Sequence, residues 1–393
     1  MAIAVSLAEH TANERARSFH LLDVFRGIAA ISVITLHFPQ AFAPLVADGA
    51  YLAVDLFFLM SGFVLARAYE AKLHAGMTGR SFLLARLVRL FPFYLLALLP
   101  SAIELAYYYR AEALSWQVAG SIGLSMVMLP TPAVGFEHNP LFPANFVTWS
   151  LFFELLANAL YVGTLRTLSG RLMLLIGPAA AIVLAVAIGR GNLNGGAYWP
   201  DAYVAVVRVV FSFFAGVGLF RVHAAGRLPQ FRVPSLVLTT AAVLALALHV
   251  PPPWRGWFDA GCALMLFPAL LIAAIAHPPC VPNLISRFLG EISYPIYVLQ
   301  LPVFTLLVMG LPKLAPGLLT ASAPWTGTAT LAVLASASWL LAVHVDAPLR
   351  RRLVRSLTER DDGVVNEAVT VTVSPTHYSL PAKHQERTDG GSS

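Results

Sequence analysis

The chain has few charged residues and almost no cysteine. Charged residues make up 12% of its 393 positions and hydrophobic residues 58%, and the mean hydropathy is +0.72. A soluble domain of this length needs far more charge, so the composition excludes one. The net charge of +6 therefore does not indicate a nucleic-acid partner, and we expect none. Two cysteines, Cys262 and Cys280, exclude a disulfide framework and a cysteine-rich zinc site.

Several motifs that identify common soluble enzymes are also missing. The sequence contains no glycine-rich phosphate loop, no metal-ligand spacing and no nucleophile elbow. We therefore expect no metal cofactor. Residues 1–19 are polar, carry Arg15 and Arg17, and lack the apolar core and cleavage site of a signal peptide. The first hydrophobic helix is therefore expected to remain in the protein.

Long apolar stretches recur through the rest of the chain. A helix needs about 20 apolar residues to cross a bilayer. Stretches of this kind lie at 21–39, 51–69, 85–107, 146–165, 171–189, 202–222, 234–250, 256–276, 288–309 and 325–345. They predict an all-α, polytopic membrane protein with about ten transmembrane helices. A shorter apolar segment, at 116–129, predicts an interfacial or re-entrant helix.

The basic residues indicate the orientation, because Lys and Arg are retained on the cytoplasmic side during insertion. With a cytoplasmic N-terminus, ten spans place these residues inside: Lys72, Arg80, Arg86, Arg89, Arg166, Arg171, Arg221, Arg227, Arg232, Arg287, Arg350, Arg351, Arg352 and Arg355. The outer loops then hold only Arg110, Arg190, Arg255 and Lys313. We therefore predict that both termini are cytoplasmic. The predicted parts are an N-terminal segment at 1–19, a transmembrane domain at 20–355 and a disordered tail at 356–393.

The first predicted span carries ionisable residues, which are costly in hydrocarbon and usually face a protein interior or a watery cavity. Two of them, Arg26 and His37, are eleven positions apart. At about 100° per residue they lie within roughly 20° of one another around the helix and roughly 16 Å apart along it. They are therefore expected to face one hollow at different depths.

Two carboxylates lie inside later spans. Asp55 is near the outer end of the second span, and a short loop connects that span to His37. A contact between Asp55 and His37 is therefore expected. Glu154 lies in the outer-to-middle part of the span at 146–165. It is either a catalytic group or a packing residue, for which Arg208 is a candidate partner.

Three arginines lie near the cytoplasmic boundary. Arg26 has about the same depth as Arg86 and Arg89, which begin the third span. Guanidinium groups fit phosphate oxygens, so these residues suit a phosphorylated carrier that enters from the cytoplasm. On the spacing alone, Arg86 and Arg89 are more often ordinary residues whose long side chains reach the membrane interface.

The imidazole of His37 has three possible roles. Paired with a carboxylate, it can take a proton from a hydroxyl as a general base. It can instead carry an acyl group covalently. It can also be a structural histidine that hydrogen-bonds between helices. The residue pattern leaves the three open.

Five motifs follow one another in a fixed order. They are Arg26 and His37 with ten residues between them, then VDLFFLMSGFVLARAY, Arg86-Leu87-Val88-Arg89, WSLFFE and LGEISYPIYVLQLP. Together they resemble the acyltransferase 3 family of integral membrane O-acyltransferases, over about residues 18–355. The resemblance implies transfer of an acyl group, commonly acetyl from cytoplasmic acetyl-CoA, to a carbohydrate or lipid-linked glycan. It also implies that the protein is embedded in a bacterial inner membrane and is surrounded by its lipid.

The resemblance also implies roles for particular residues. His37 matches the essential histidine of the family and Arg26 its basic partner, while Arg86 and Arg89 match the Arg-x-x-Arg that faces the acyl donor. The acidic positions of the family correspond to Asp55 and Glu154. The sequence differs at Gln300, where many members have histidine, and at Asp346, where Glu is common.

A transporter or exporter is the main alternative function. Intramembrane His, Asp and Glu residues also form proton or substrate paths in carriers, and about ten spans fit such a protein equally well. That function would predict internal repeats with broken helices, and no convincing repeat is present. The sequence leaves open the acceptor, the acyl chain and the oligomeric state.

Overall fold

A computed structural model of the chain describes residues 19–110, 115–132, 135–168, 172–229, 233–276, 283–350 and 352. Within these ranges the chain is helical and contains no β-strand; one isolated antiparallel bridge joins Pro140 to Tyr198. The all-α prediction is therefore confirmed. The predicted tail at 356–393, Cys280 and all but the last residue of the segment 1–19 lie outside the described residues.

The apolar stretches form most of the α-helices. In chain order these are α1 (His20–His37), α2 (Pro39–Phe42), α3 (Ala53–His74), α4 (Gly79–Tyr108), α5 (Ser115–Met126), α6 (Thr148–Leu168), α7 (Leu172–Arg190), α8 (Ala202–Ala224), α9 (Ser235–Ala247), α10 (Arg255–Gly261), α11 (Phe267–Ala276), α12 (Asn283–Leu314), α13 (Leu318–Ala321) and α14 (Trp325–Leu341). A π-helical turn, Cys262–Leu266, makes α10 and α11 continuous, and another, Ala342–Asp346, extends α14.

Seven helices among the described residues are long and apolar enough to cross a membrane. They are His20–His37, Ala50–His74, Gly79–Tyr108, Trp199–Ala224, Arg255–Ala276, Leu284–Leu314 and Trp325–Arg350. Each corresponds to one of the predicted spans. The other three predicted spans also form helices, but α9 has only 13 residues and the apolar part of α7 is Ile176–Arg190. The third of these helices, α6, has 21 residues, but the polar side chains of Glu154 and Asn158 make it less apolar than the seven.

The segment predicted to be interfacial or re-entrant forms α5, a helix of 12 residues. Its length is below that of a span, as predicted. The chain that follows, up to α6, is irregular in its described part.

Helices α3 and α8 approach closely because glycines lie at their contact. A Cβ atom on Gly62 would lie 1.9 Å from the carbonyl oxygen of Phe213, and one on Gly216 would lie 2.1 Å from that of Leu59. No larger residue fits without moving the helices apart. The two helices run in the same direction, since Asp55 contacts Arg208 near one end and Glu70 contacts Arg221 near the other.

Helix α1 lies in the interior, packed against α12 and α3. Its Phe25 and Ile34 are fully buried. Helices α1 and α12 also run in the same direction, because His20 Nδ1 lies 3.0 Å from Ser286 Oγ while His37 contacts Gln300. The polar residues of α1 are therefore surrounded by protein on several sides.

Candidate functional site

A cavity of about 140 Å³ lies where α1, α3, α4, α6 and α12 meet. Arg26, Arg86 and Arg89 all line it, so the structure brings together the three arginines that the sequence assigned to the donor. Arg86 and Arg89 reach it together because residues three apart share one face of a helix. The apolar walls are Val54, Phe57, Phe58, Val64, Leu65, Leu90 and Leu151. The cavity thus combines positive charge with an apolar surface.

Glu154 lies on the wall of this cavity and is paired with Arg86. Its Oε1 accepts hydrogen bonds from Arg86 Nη2 and from Ser61 Oγ, each at 2.7 Å. The side chains of Arg86 and Glu154 are only 6% and 16% exposed. The suggested pairing of Glu154 with Arg208 is therefore wrong, because α6 presents this carboxylate to α3 and α4.

Asp55 is not in contact with His37, contrary to the expectation from the short loop. Its carboxylate accepts hydrogen bonds from Arg208 Nε at 3.1 and 3.2 Å and from Arg208 Nη2 at 2.6 Å. Both side chains are 1% exposed. Arg208 also donates to the carbonyl oxygens of Tyr51 and Gly195. The close packing of α3 on α8 determines this pairing, and it leaves Asp55 without a free oxygen that faces His37.

A second cavity, of about 590 Å³, adjoins the first. The two share the lining residues Arg26, Arg89, Gly290 and Tyr294. Arg89 is exposed to this space and forms no ion pair with any residue that the structure describes. An exposed guanidinium between two cavities suits an anionic group of a ligand.

The carboxylates of the second cavity are paired with arginines on their own helices. Glu291 accepts a hydrogen bond from Arg287 at 2.6 Å, and Asp346 pairs with Arg350. The Oδ1 atom of Asp23 lies 3.5 Å from Nη1 of Arg26. The acids therefore largely neutralise these three arginines, and Arg89 remains the cation available to a ligand within the described part of the cavity.

His37 ends α1 and is held by α12. Its Nδ1 lies 3.1 Å from Gln300 Oε1, and Gln300 Nε2 donates to the carbonyl oxygen of Tyr297 at 2.8 Å. His37 is half-buried, whereas Gln300 is fully buried. The ring of Phe146 meets the imidazole edge to face, with 6.0 Å between the ring centres.

His37 does not line the cavity that contains Arg26. Ser150 and Tyr297 line this cavity, and their hydroxyl groups are hydrogen-bonded at 2.7 Å. The prediction that Arg26 and His37 face one hollow is therefore wrong for this conformation. Arg26 instead shares its cavity with Tyr297 of α12.

The other side of His37 faces the loops that follow α5 and α7. Phe146 packs against Tyr198 with 5.3 Å between ring centres, and both rings are half-buried. Trp199 Nε1 donates to the carbonyl oxygen of Thr131 at 2.7 Å, which joins the two loops. Phe146 therefore connects the imidazole to these two loops.

A proline on α12 helps to fix this region. Pro302 has no N–H, so the carbonyl oxygen of Val298 lacks its usual helical donor. Asn145 Nδ2 donates to that oxygen instead, at 3.1 Å. The segment before α6 is thereby attached to α12 beside Gln300.

Sequence reasoning missed Ser150, Tyr297 and the positions of Arg287 and Arg350. The sequence did contain a signal for the contacts that Tyr297 and Gln300 make from α12. Together with Tyr294 these residues recur every three positions, so they share one face of the helix. Among the described residues, no group of three or more His, Cys, Asp or Glu side chains is placed to hold a metal ion.

Comparisons with known proteins agree with this architecture. A family model described as an acyltransferase domain matches residues 19–343. The chain is 37% identical over 186 residues to "Protein 2 in picA locus" of Rhizobium radiobacter, a match that covers 43% of this chain and 95% of that protein. No solved structure matches the chain. Since the family model covers more than half of its length, the chain belongs to the acyltransferase 3 family and is a membrane enzyme that transfers acyl groups other than aminoacyl groups.

Proposed function

We propose that this enzyme moves an acetyl group from cytoplasmic acetyl-CoA to a hydroxyl of a carbohydrate or lipid-linked glycan at the outer side of a bacterial inner membrane. The observation that carries the donor assignment is the pair of adjoining cavities with Arg89 between them. Ligand pockets commonly measure about 300–1,000 Å³, so the larger cavity has room for the nucleotide part of the carrier. The smaller cavity then receives the thioester end.

The size of the smaller cavity supports a short acyl group. Its volume of about 140 Å³ is shared by the thiol end of the carrier and the acyl chain. Protein interiors are close-packed and resist expansion, so a long fatty chain has no space there. Glu154 holds Arg86 in position on the wall and Asp23 pairs with Arg26, which leaves Arg89 to contact the carrier.

The proposed reaction takes place at His37. As a general base, its imidazole takes the proton of the acceptor hydroxyl while the hydroxyl oxygen attacks the thioester carbonyl. The new C–O bond forms, the C–S bond breaks, and the proton passes to the leaving thiolate. As a nucleophile, the same imidazole attacks the thioester carbonyl, a C–N bond forms, the C–S bond breaks and the CoA thiolate leaves. The acceptor hydroxyl then attacks the acyl carbon, the C–N bond breaks to release the neutral imidazole, and the hydroxyl proton passes to the thiolate. Either role requires a connection between the donor cavity and His37, and we propose that it opens when the Tyr297 ring moves away from Ser150.

Helix directions support the proposed ten-span topology. Helices α3 and α8 are parallel, so the chain must cross the membrane an odd number of times between them. Helix α4 is one such crossing, so α6 and α7 must either both cross or both not cross. Helices α1 and α12 are also parallel, so the number of crossings between them must be odd as well. Helices α3, α4, α8 and the continuous α10–α11 are four crossings, and α6 and α7 add an even number, so α9 must also cross. With α6 and α7, which are 21 and 19 residues long, the total is ten. The distribution of basic residues supports cytoplasmic termini.

The test uses purified protein in liposomes of bacterial lipid, with radiolabelled acetyl-CoA on one side and a lipid-linked glycan in the bilayer. We expect label in the glycan only when acetyl-CoA is offered at the face that contains Arg89. Label that crosses the membrane without becoming covalently attached would instead favour a transporter. Absence of transfer to any hydroxyl-bearing glycan would contradict the proposed acceptor class.

A further inference from the structure

Gln300 is a fully buried amide whose two polar atoms have different partners. Its Nε2 lies 2.8 Å from the carbonyl oxygen of Tyr297, and its Oε1 lies 3.1 Å from His37 Nδ1. The side chain therefore links the backbone of α12 to the end of α1.

The chemistry of these partners determines how the amide is oriented. The two ends of a carboxamide are distinguished by their hydrogen-bond partners, because nitrogen can only donate and oxygen can only accept. A backbone carbonyl oxygen only accepts. The amide nitrogen of Gln300 must therefore face Tyr297, and its oxygen must face His37.

That orientation determines which nitrogen of the imidazole carries the proton. An amide oxygen accepts, so His37 Nδ1 must donate and carries hydrogen. In the neutral ring, Nε2 then has a free lone pair. Nε2 forms no hydrogen bond with any residue that the structure describes. We propose that Gln300 is a positioning residue that holds His37 in the Nδ1–H tautomer and leaves Nε2 as the reacting atom.

This inference rests on the proposed function of His37 and specifies it further. Both roles considered for the imidazole, general base and acyl carrier, need an unprotonated nitrogen directed at the reacting group. An orienting partner that only donated to Nδ1 would place the proton on Nε2 and disable it. Among the residues that the structure describes, the buried amide of Gln300 contacts His37 Nδ1 and no carboxylate does, so the amide alone selects the productive tautomer.

The tautomer is measured directly by nitrogen-15 NMR of histidine-labelled protein in liposomes. The His37→Ala variant identifies the signals that belong to His37. We expect a protonated, pyrrole-type Nδ1 and an unprotonated, pyridine-type Nε2, and Gln300→Leu should convert this to a mixture of both tautomers. An Nε2–H ring in the wild-type protein, or an unchanged ring in Gln300→Leu, would overturn the proposal.

Activity supplies the second test. Gln300→Leu removes both polar atoms, and we expect kcat to fall about 10- to 100-fold, as for other residues that orient a histidine, with little change in the KM for acetyl-CoA. Gln300→His offers one N–H donor and one acceptor nitrogen, the same pair as the amide, and should retain most of the transfer. Equal losses in both variants would indicate a packing role and contradict the proposal. Full transfer by His37→Ala would refute only the proposed function of His37, because the NMR result does not depend on activity.

Discussion

Asp55 and Arg208 form an ion pair that is almost completely removed from solvent. Each side chain is 1% exposed, and Arg208 Nη2 lies 2.6 Å from Asp55 Oδ2. The pair lies at the same depth on two parallel helices, about two turns before the glycine contact of α3 with α8. We infer that it joins the two helices and takes no part in proton transfer.

This assignment predicts that removing one partner of the ion pair destabilises the protein. It also predicts that replacing both partners with apolar residues leaves acyl transfer intact. Asp55→Ala leaves a buried guanidinium without compensation, and we expect the free energy of unfolding to fall by about 3–5 kcal/mol. The double variant Asp55→Leu with Arg208→Met should restore much of that stability and retain acyl transfer. Thermal unfolding in detergent and a transfer assay measure the two effects. A folded double variant without transfer would indicate that Asp55 is catalytic.

Arg89 is predicted to be the principal contact of the carrier. Hydrogen bonds to charged groups contribute about 1.5–3 kcal/mol, so Arg89→Ala should raise the KM for acetyl-CoA by roughly 10- to 100-fold. The KM for the acceptor should change little. Arg227→Ala, which removes an exposed cation in the turn after α8, is the matched control. An unchanged donor KM in Arg89→Ala would contradict the placement of the donor.

The volume of the smaller cavity predicts the range of acyl chains. We expect transfer of acetyl and little or no transfer of palmitoyl when both are offered as CoA thioesters. Val64→Ala removes two methyl groups from the wall and should increase the rate with butyryl relative to acetyl. Val127→Ala, at an exposed position outside the cavity, should leave the ratio unchanged. Efficient use of palmitoyl by the wild-type enzyme would show that the cavity does not hold the acyl group.

The hydrogen bond between Ser150 and Tyr297 predicts a barrier that limits wasteful hydrolysis. Tyr297→Phe keeps the ring but removes the hydroxyl that bonds to Ser150, so the ring should move more freely. We expect hydrolysis of acetyl-CoA in the absence of acceptor to increase. Tyr294→Phe removes a hydroxyl from the same cavity without touching Ser150 and is the matched control. Equal hydrolysis by the wild type and both variants would contradict a barrier role.

Much of the architecture could be predicted, because apolar runs of sufficient length determine where helices form. The seven spans follow from such runs, and the common face of Arg86 and Arg89 follows from helical spacing. Small residues commonly permit close helix packing in membranes, and Gly62 does so against Phe213.

The pairings between helices could not be predicted, because spacing gives a side chain its face and depth but not the helix opposite. Asp55 has the depth that suits His37, yet the glycine contact turns it toward Arg208. Arg26 shares its cavity with Tyr297, which belongs to a helix about 270 positions later in the chain, and not with His37. Only the fold shows which side chains line the same cavity.

We propose that donor binding at the arginines and chemistry at His37 are separate functions, located at opposite ends of α1. The most direct test measures acetyl-CoA binding by calorimetry and acetyl transfer in parallel on purified His37→Ala protein. Removing a general acid–base or nucleophilic group should reduce transfer at least about 100-fold, while the Kd for acetyl-CoA stays at the wild-type value. Transfer at the wild-type rate would exclude chemistry at His37, and loss of donor binding in a folded variant would show that the two functions are not separate.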